Sequence, residues 1–191
     1  MAIQRQSNLT EAKEWFGRLD ADFRANAAIR HLDGNIEIEN FFRDLLCQLY
    51  GWSLTNANWS ESINQDSFDL EDSSNRIAVQ VTSTMTAAKI RKTLASFIEN
   101  HRSRFTRLVF VYPFVTKTAS EANFTKQLAG FTFDSDNDRI DLGTLLQRIQ
   151  NLGITEQDAA LRLIRQELKP LGQALQLGVD QTVEAIISII R

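Results

Sequence analysis

The sequence predicts an α/β domain, a mixed β-sheet flanked by helices, on the strength of three observations. Apolar residues recur at spacings of three and four through the first fifty residues, the stripe of amphipathic helices. A β-branched run, Ile77, Val79 and Val81, then alternates with Ala78, Gln80 and Thr82, the period of a strand. A strand, a helix and another strand follow one another up to Tyr112, and such a crossover makes the two strands parallel.

The first helix is expected over about Thr10 to Leu32, with Trp15, Phe16, Leu19, Phe23, Ala27 and Ile29 as its apolar stripe. Thr10 is its N-cap and Gly34 its stop. The second runs from about Ile36 to Tyr50, placing Ile38, Phe41, Phe42, Leu45, Leu46 and Leu49 on one broad face. Past Gly51, the polar stretch WSLTNANWSESINQDS favours a short strand followed by turns. FDLED and RIAVQVTST form a hairpin joined at Ser73, Ser74 and Asn75. MTAAKIRKTLASFIENH is a helix capped by Thr84 or Thr86, and RLVFVYPF a buried strand ended by Pro113. SEANFTKQLAG reads as a helix with a glycine stop. FTFDSDNDRIDLGTLLQRIQNLG reads as a short edge strand, an acidic turn and a helix through Ile149.

A core over residues 1–152 is therefore expected, followed by a C-terminal helical extension over 153–191. In the extension Thr155 caps a helix bearing Leu161, Ile164 and Leu168, broken at Pro170 and Gly172. VDQTVEAIISIIR forms a last helix whose end, Ile186, Ile187, Ile189 and Ile190, needs a cover. That cover is the domain itself, a second copy of the chain, or the rest of a longer parent.

Composition excludes several classes. A chain of 191 residues, 43% hydrophobic and 24% charged, is one ordinary domain. It buries roughly 70% of its unfolded surface and needs neither disulfides nor a structural metal. The single Cys47 excludes an internal disulfide and a cysteine-rich zinc site, and reads as a small buried hydrophobe. His31 and His101 have no motif partners, and neither a GxGxxG nor a GxxxxGK[ST] pattern occurs. DSDNDRIDLG lacks the sixth-position glycine and terminal glutamate of a calcium loop. No run approaches the roughly 20 apolar residues of a membrane span, and MAIQRQSNLTEAKEWF lacks a signal's apolar centre. A cytoplasmic protein with no membrane partner is expected.

The net charge of -3 argues at first sight against a nucleic-acid partner. Its distribution does not. From Thr84 to Arg107, six basic residues (Lys89, Arg91, Lys92, Arg102, Arg104 and Arg107) face the single acid Glu99, a local +5 that leaves -8 for the rest. Screening beyond roughly 8 Å lets such a segment attract a polyanion despite the acidic total. The plainer alternative is a solvated helix face.

The order helix, strand, hairpin, helix, strand is the layout of the restriction-endonuclease-like fold. The residues also resemble a family. Glu39, Phe41, Phe42, Leu45, Leu46, Tyr50, Gly51, Trp52, Asp69, Leu70, Asp72, Asn75, Ile77, Ala78 and the run Gln80 to Thr84 are similar to SMEK-type domains of bacterial proteins, some linked to phage defence. The resemblance covers roughly residues 35 to 112, and the join of DLED to IAVQVTST is its most specific part.

Active nucleases of this fold carry an Asp in one strand, Glu-x-Lys or Gln-x-Lys in the next, and often a Glu from the preceding helix. The resemblance therefore implies a Mg²⁺ site of Glu39 (or Glu37), Asp69 and Gln80, since magnesium takes hard oxygen ligands and stabilises charge on phosphate. The lysine position falls on Thr82, and a hydroxyl carries no charge to polarise water. Lys89 or Lys92, at the start of the following helix, are the candidates to replace it. Each residue also has a structural reading: Asp69 bonding its turn, Gln80 and Thr82 paired across the sheet or capping the next helix, Glu39 on a solvated face.

Two functions remain. The first is a nuclease-like domain hydrolysing DNA with Mg²⁺ bound by Glu39, Asp69 and Gln80, with Lys89 or Lys92 in place of Thr82. The second is a catalytically degenerate module that binds DNA through Lys89, Arg91, Lys92, Arg102 and Arg104, or binds a protein, and forms homo-oligomers through its C-terminal helices.

Overall fold

The computed structural model describes residues 3–27, 36–57, 67–84, 86–114, 125–128, 131–134 and 136–169. Its elements are α1 (Gln4–Ala27), α2 (Ile36–Tyr50), β1 (Thr55–Asn56), β2 (Leu70–Asp72), β3 (Ile77–Val81), α3 (Ala87–His101), β4 (Arg107–Tyr112), β5 (Thr125–Leu128), β6 (Phe131–Asp134), β7 (Arg139–Asp141) and α4 (Leu142–Gln150). A further helix, α5, covers residues 154–169.

Five strands form one mixed sheet in the order β1-β2-β3-β4-β7. β1, β2 and β3 are antiparallel neighbours, whereas β3 pairs with β4 and β4 with β7 in parallel. The expected crossover through α3 is thus present, and the fold is α/β. The pleat sorts β3 as its sequence indicates: Ile77 and Val79 enter one core and Ala78 the other. On the first face the sheet meets α1, α2, α4 and α5 through Phe16, Phe42, Leu45, Leu145, Leu161 and Ile164. On the second it meets α3 and β6 through Ile90, Leu94, Phe97, Phe131 and Phe133. The result is three layers.

Three sequence expectations change here. The first helix starts at Gln4, not near Thr10. Buried Asn8 donates from Nδ2 to Asp158 Oδ1 at 2.8 Å, and Arg5 Nη1 donates to the Leu152 carbonyl at 2.6 Å. These contacts with the chain around α5 hold an extra turn that local propensity did not mark. Its expected stop at Gly34 lies outside the described residues. The helix read in SEANFTKQLAG is overturned, because Thr125–Leu128 is a strand paired antiparallel with β6. Cross-strand pairing overrides weak helical spacing.

The acidic turn contains a strand that the sequence hid. β7 adds itself to the sheet edge, with Phe110 N donating to the Asp138 carbonyl at 2.7 Å. Asp138 is buried; its carboxylate accepts from Arg107 Nε at 2.6 Å and from Asp134 N at 2.7 Å. The helix expected from Thr155 is α5, and it packs in the first core with α1, through Ala160, Leu161, Ile164 and Leu168. The last helix and its isoleucines lie outside the described residues.

Candidate functional site

The antiparallel register puts Leu70 opposite Val79, which sets residue 69 across from residue 80. Asp69 N donates to the Val79 carbonyl, and Ala57 N to the Asp69 carbonyl, both at 2.8 Å, so the Asp69 backbone is tied on both sides. Its side chain closes the open end of the hairpin. Asp69 Oδ2 accepts from Gln80 Nε2 at 2.6 Å and from Val81 N at 2.7 Å. Gln80 Nε2 also donates to the Val81 carbonyl at 3.2 Å. Both groups facing the amide are acceptors, so its nitrogen, not its oxygen, must be turned to them.

Beyond the pair the strand ends in a hydroxyl turn. Thr82 is 5% exposed; its Oγ1 accepts from Thr84 N at 3.1 Å and donates to the Thr84 carbonyl at 3.3 Å. The turn delivers the chain to Thr86, the N-cap of α3, whose Oγ1 accepts from Lys89 N at 3.3 Å. Gln80 and Thr82 thus both make the polar contacts that structural residues would make.

Glu39 is not on a solvated face. It is 6% exposed, and Oε2 accepts from Asn56 Nδ2 at 3.1 Å. Asn56 pairs with Leu70, so its side chain leaves the sheet on the side of the first core. Gln80 alternates with Val79 and leaves on the α3 side. Glu39 and Gln80 therefore meet the sheet from opposite faces.

Lys89 and Lys92 are exposed on α3. Lys89 precedes Ser96 by two helical turns and so shares its flank. Ser96 Oγ accepts from Ser67 Oγ at 3.0 Å, which turns that flank towards the segment entering Asp69. Lys92 lies about 60° further round, away from the buried face of Ile90, Leu94 and Phe97. Arg91 and Arg102 are exposed as well. Arg104 Nη2 donates to Glu71 Oε1 and Oε2 at 3.2 and 3.1 Å, and its guanidinium lies 4.9 Å from the Phe105 ring centroid. At this end of α3, His101 packs against Phe68 and Phe97, and burial, reinforced by Arg104, lowers its pKa.

Sequence reasoning gave Asp72 no role, yet it is the fully buried acid of the hairpin. Its carboxylate, fully buried, accepts from Ser53 N at 2.8 Å, Asn75 N at 2.9 Å and Asn75 Nδ2 at 2.8 Å. Burial alone would raise its pKa; these bonds outweigh burial and hold it below the ordinary carboxylate value. The spacing Asp72-x-x-Asn75 was the available signal, since short side chains commonly bond the turn they begin. A second missed feature is the stack of Tyr50 on Trp52, with centroids 4.8 Å apart, capped by Arg148 over Tyr50 and Arg107 over Trp52.

Magnesium requires several oxygen ligands converging on one point. The residues present do not fit it. Gln80 turns its nitrogen towards Asp69, Glu39 enters from the other face, and no group of three His, Cys, Asp or Glu able to hold a metal occurs among the described residues.

Fold and site together define a three-layer α/β protein with a mixed five-stranded sheet and a closed acid–amide pair at one end of its central hairpin. The family model of the SMEK domain matches residues 11–150, and the chain belongs to that family. No curated protein and no solved structure matches it. No helix among the described residues is long and apolar enough to cross a membrane.

Proposed function

We propose that this chain is a restriction-endonuclease-like domain that no longer hydrolyses phosphodiesters and instead binds nucleic acid, in the defence setting its family resemblance implies. The observation that carries this reading is the bond from Gln80 Nε2 to Asp69 Oδ2 at 2.6 Å. An amide donor occupies the carboxylate where an active relative would place a metal, and Thr82, at the lysine position, spends its hydroxyl on a turn. The strand order and the helix–strand–hairpin–helix–strand sequence support the fold half of the reading. The exposed cations Lys89, Arg91, Lys92 and Arg102 support the binding half.

The test incubates the full chain with plasmid and linear DNA in the presence of Mg²⁺ or Mn²⁺, beside an Asp69→Ala variant, and measures binding of the same DNA by fluorescence anisotropy. The expected result is binding without cleavage, with affinity unchanged in Asp69→Ala. Metal-dependent cleavage abolished by Asp69→Ala would overturn the reading in favour of a nuclease in which Lys89 supplies the missing charge. Failure to bind any nucleic acid would overturn it in the other direction.

A further inference from the structure

We infer that the stack of Arg148, Tyr50, Trp52 and Arg107 is a docking site for an acidic side chain of a partner protein. This surface is separate from the one that the nucleic-acid reading uses. Arg107 opens β4 beside Ile77, at the closed end of the hairpin, and Ser53 N bonds Asp72 there, which brings Trp52 to the same end. Asp69 and Gln80 meet at the other end. Tyr50 and Trp52 pack against the first core, whereas α3 covers the second, so a partner on the stack approaches from the face opposite α3.

The stack is held rigid. The two rings lie with centroids 4.8 Å apart and planes 24° from parallel. Arg148 lies over Tyr50 at 5.1 Å and Arg107 over Trp52 at 5.7 Å, so guanidinium groups take the faces that the rings do not turn to each other. Arg148 Nε donates to the Leu49 carbonyl at 3.0 Å. Arg107 Nε donates to Asp138 Oδ1 at 2.6 Å and Nη2 to the Asn137 carbonyl at 3.1 Å. Side chains already ordered in this way lose little freedom when a partner binds.

Its hydrogen bonding is lopsided. The acceptors are engaged: the Leu49 and Asn137 carbonyls by the arginines, Asp138 by Arg107 and by Asp134 N. The donors are not. Among the described residues nothing accepts from Trp52 Nε1 or from Arg148 Nη1 and Nη2, and Arg148 forms no ion pair. Asp141, whose charge Tyr50 feels, is buried as the N-cap of α4. A surface of fixed donors around one unpaired guanidinium matches a carboxylate, which arginine takes through two parallel bonds. Trp, Tyr and Arg are also the side chains that dominate binding energy at protein interfaces. Nucleic acid fits this place less well. A base needs a bare ring face to stack on, and a phosphate chain needs a row of cations, whereas the outer faces are covered and Arg107 is paired with Asp138.

The experiment titrates the isotope-labelled full chain with a short Glu-rich peptide and with the same peptide carrying Gln at every Glu. It follows the indole N–H signal of Trp52, assigned with Trp52→Phe. The Glu peptide is expected to shift that signal saturably and the Gln peptide to leave it in place. Arg148→Ala should weaken binding about fivefold, and Arg148→Lys, which keeps the charge without the fork, by less. Lys92→Glu on α3 should leave peptide binding as it is. No shift with the Glu peptide, an equal shift with the Gln peptide, or undiminished affinity in Arg148→Ala with unchanged circular dichroism would overturn the proposal. Displacement of the peptide from Trp52 by duplex DNA would overturn it in favour of a phosphate site. DNA binding is measured separately and should be the same in Arg148→Ala, so the docking site and the nucleic-acid reading fail independently.

Discussion

The two ends of the β2–β3 hairpin use the same residue type in different ways. At the closed end Asp72 is fully buried, and most of its donors are backbone N–H groups held by the turn and by the chain entering β1. At the open end Asp69 is half-buried and shares one oxygen between a backbone N–H and the side chain of Gln80. Asp72 is committed to folding. Asp69 is held in part by a side-chain amide, that of Gln80. A carboxylate enclosed by backbone donors cannot be reassigned without unfolding the turn, whereas one held by a neighbouring side chain can change its role through a single substitution.

The sharpest way to break this comparison is to remove each acid in turn. Asp72→Ala removes a buried acceptor that Ser53 and Asn75 both use and should cost roughly 3 kcal/mol, read from urea unfolding. Asp72 should also shape the acid limb of stability. Its folded pKa lies below its unfolded value of about 3.9, so its contribution is complete above that pH and is lost as pH falls through the folded value. In Asp72→Asn the stability curve should flatten across that acidic range; an unaltered acid limb would show that other carboxylates set it.

Asp69→Ala should cost less, about 1–2 kcal/mol, because its site is half-buried and water can replace the lost acceptor. If Asp69→Ala proved the more destabilising of the two, the division between a committed end and an adaptable end of the hairpin would fail. The smallest effect is expected at the rim. Arg104→Ala removes an ion pair with Glu71 in which the arginine side chain is 49% exposed, so the loss should stay below about 1 kcal/mol and vanish in high salt. A larger, salt-independent loss would mean that stacking on Phe105 matters more than charge.

Much of the fold was legible because its signals are local. The helix from Ile36 to Tyr50 follows from six apolar residues on one face and Gly51, whose φ of 69° suits a residue without a side chain. The hairpin follows from alternation and the Ser-Ser-Asn turn, and the start of α3 from Thr86. The pairing of Asp69 with Gln80 was legible only as an opposition of positions. That the amide nitrogen would face the acid depends on the Val81 carbonyl, which no spacing reveals.

By itself, then, the sequence determined the alternation of helices and strands, the mixed sheet, the hairpin and the basic helix behind it. Each rests on backbone sterics and on side-chain periods a few residues long. Only the tertiary structure decided that Thr125–Leu128 is a strand, that Arg139–Asp141 joins the sheet and that Glu39 is buried against Asn56. It alone withdrew Arg104 and Arg107 from the basic face. These outcomes depend on partners distant in the chain, and burial and pairing between such partners outweigh the weak local preferences that sequence periodicity records.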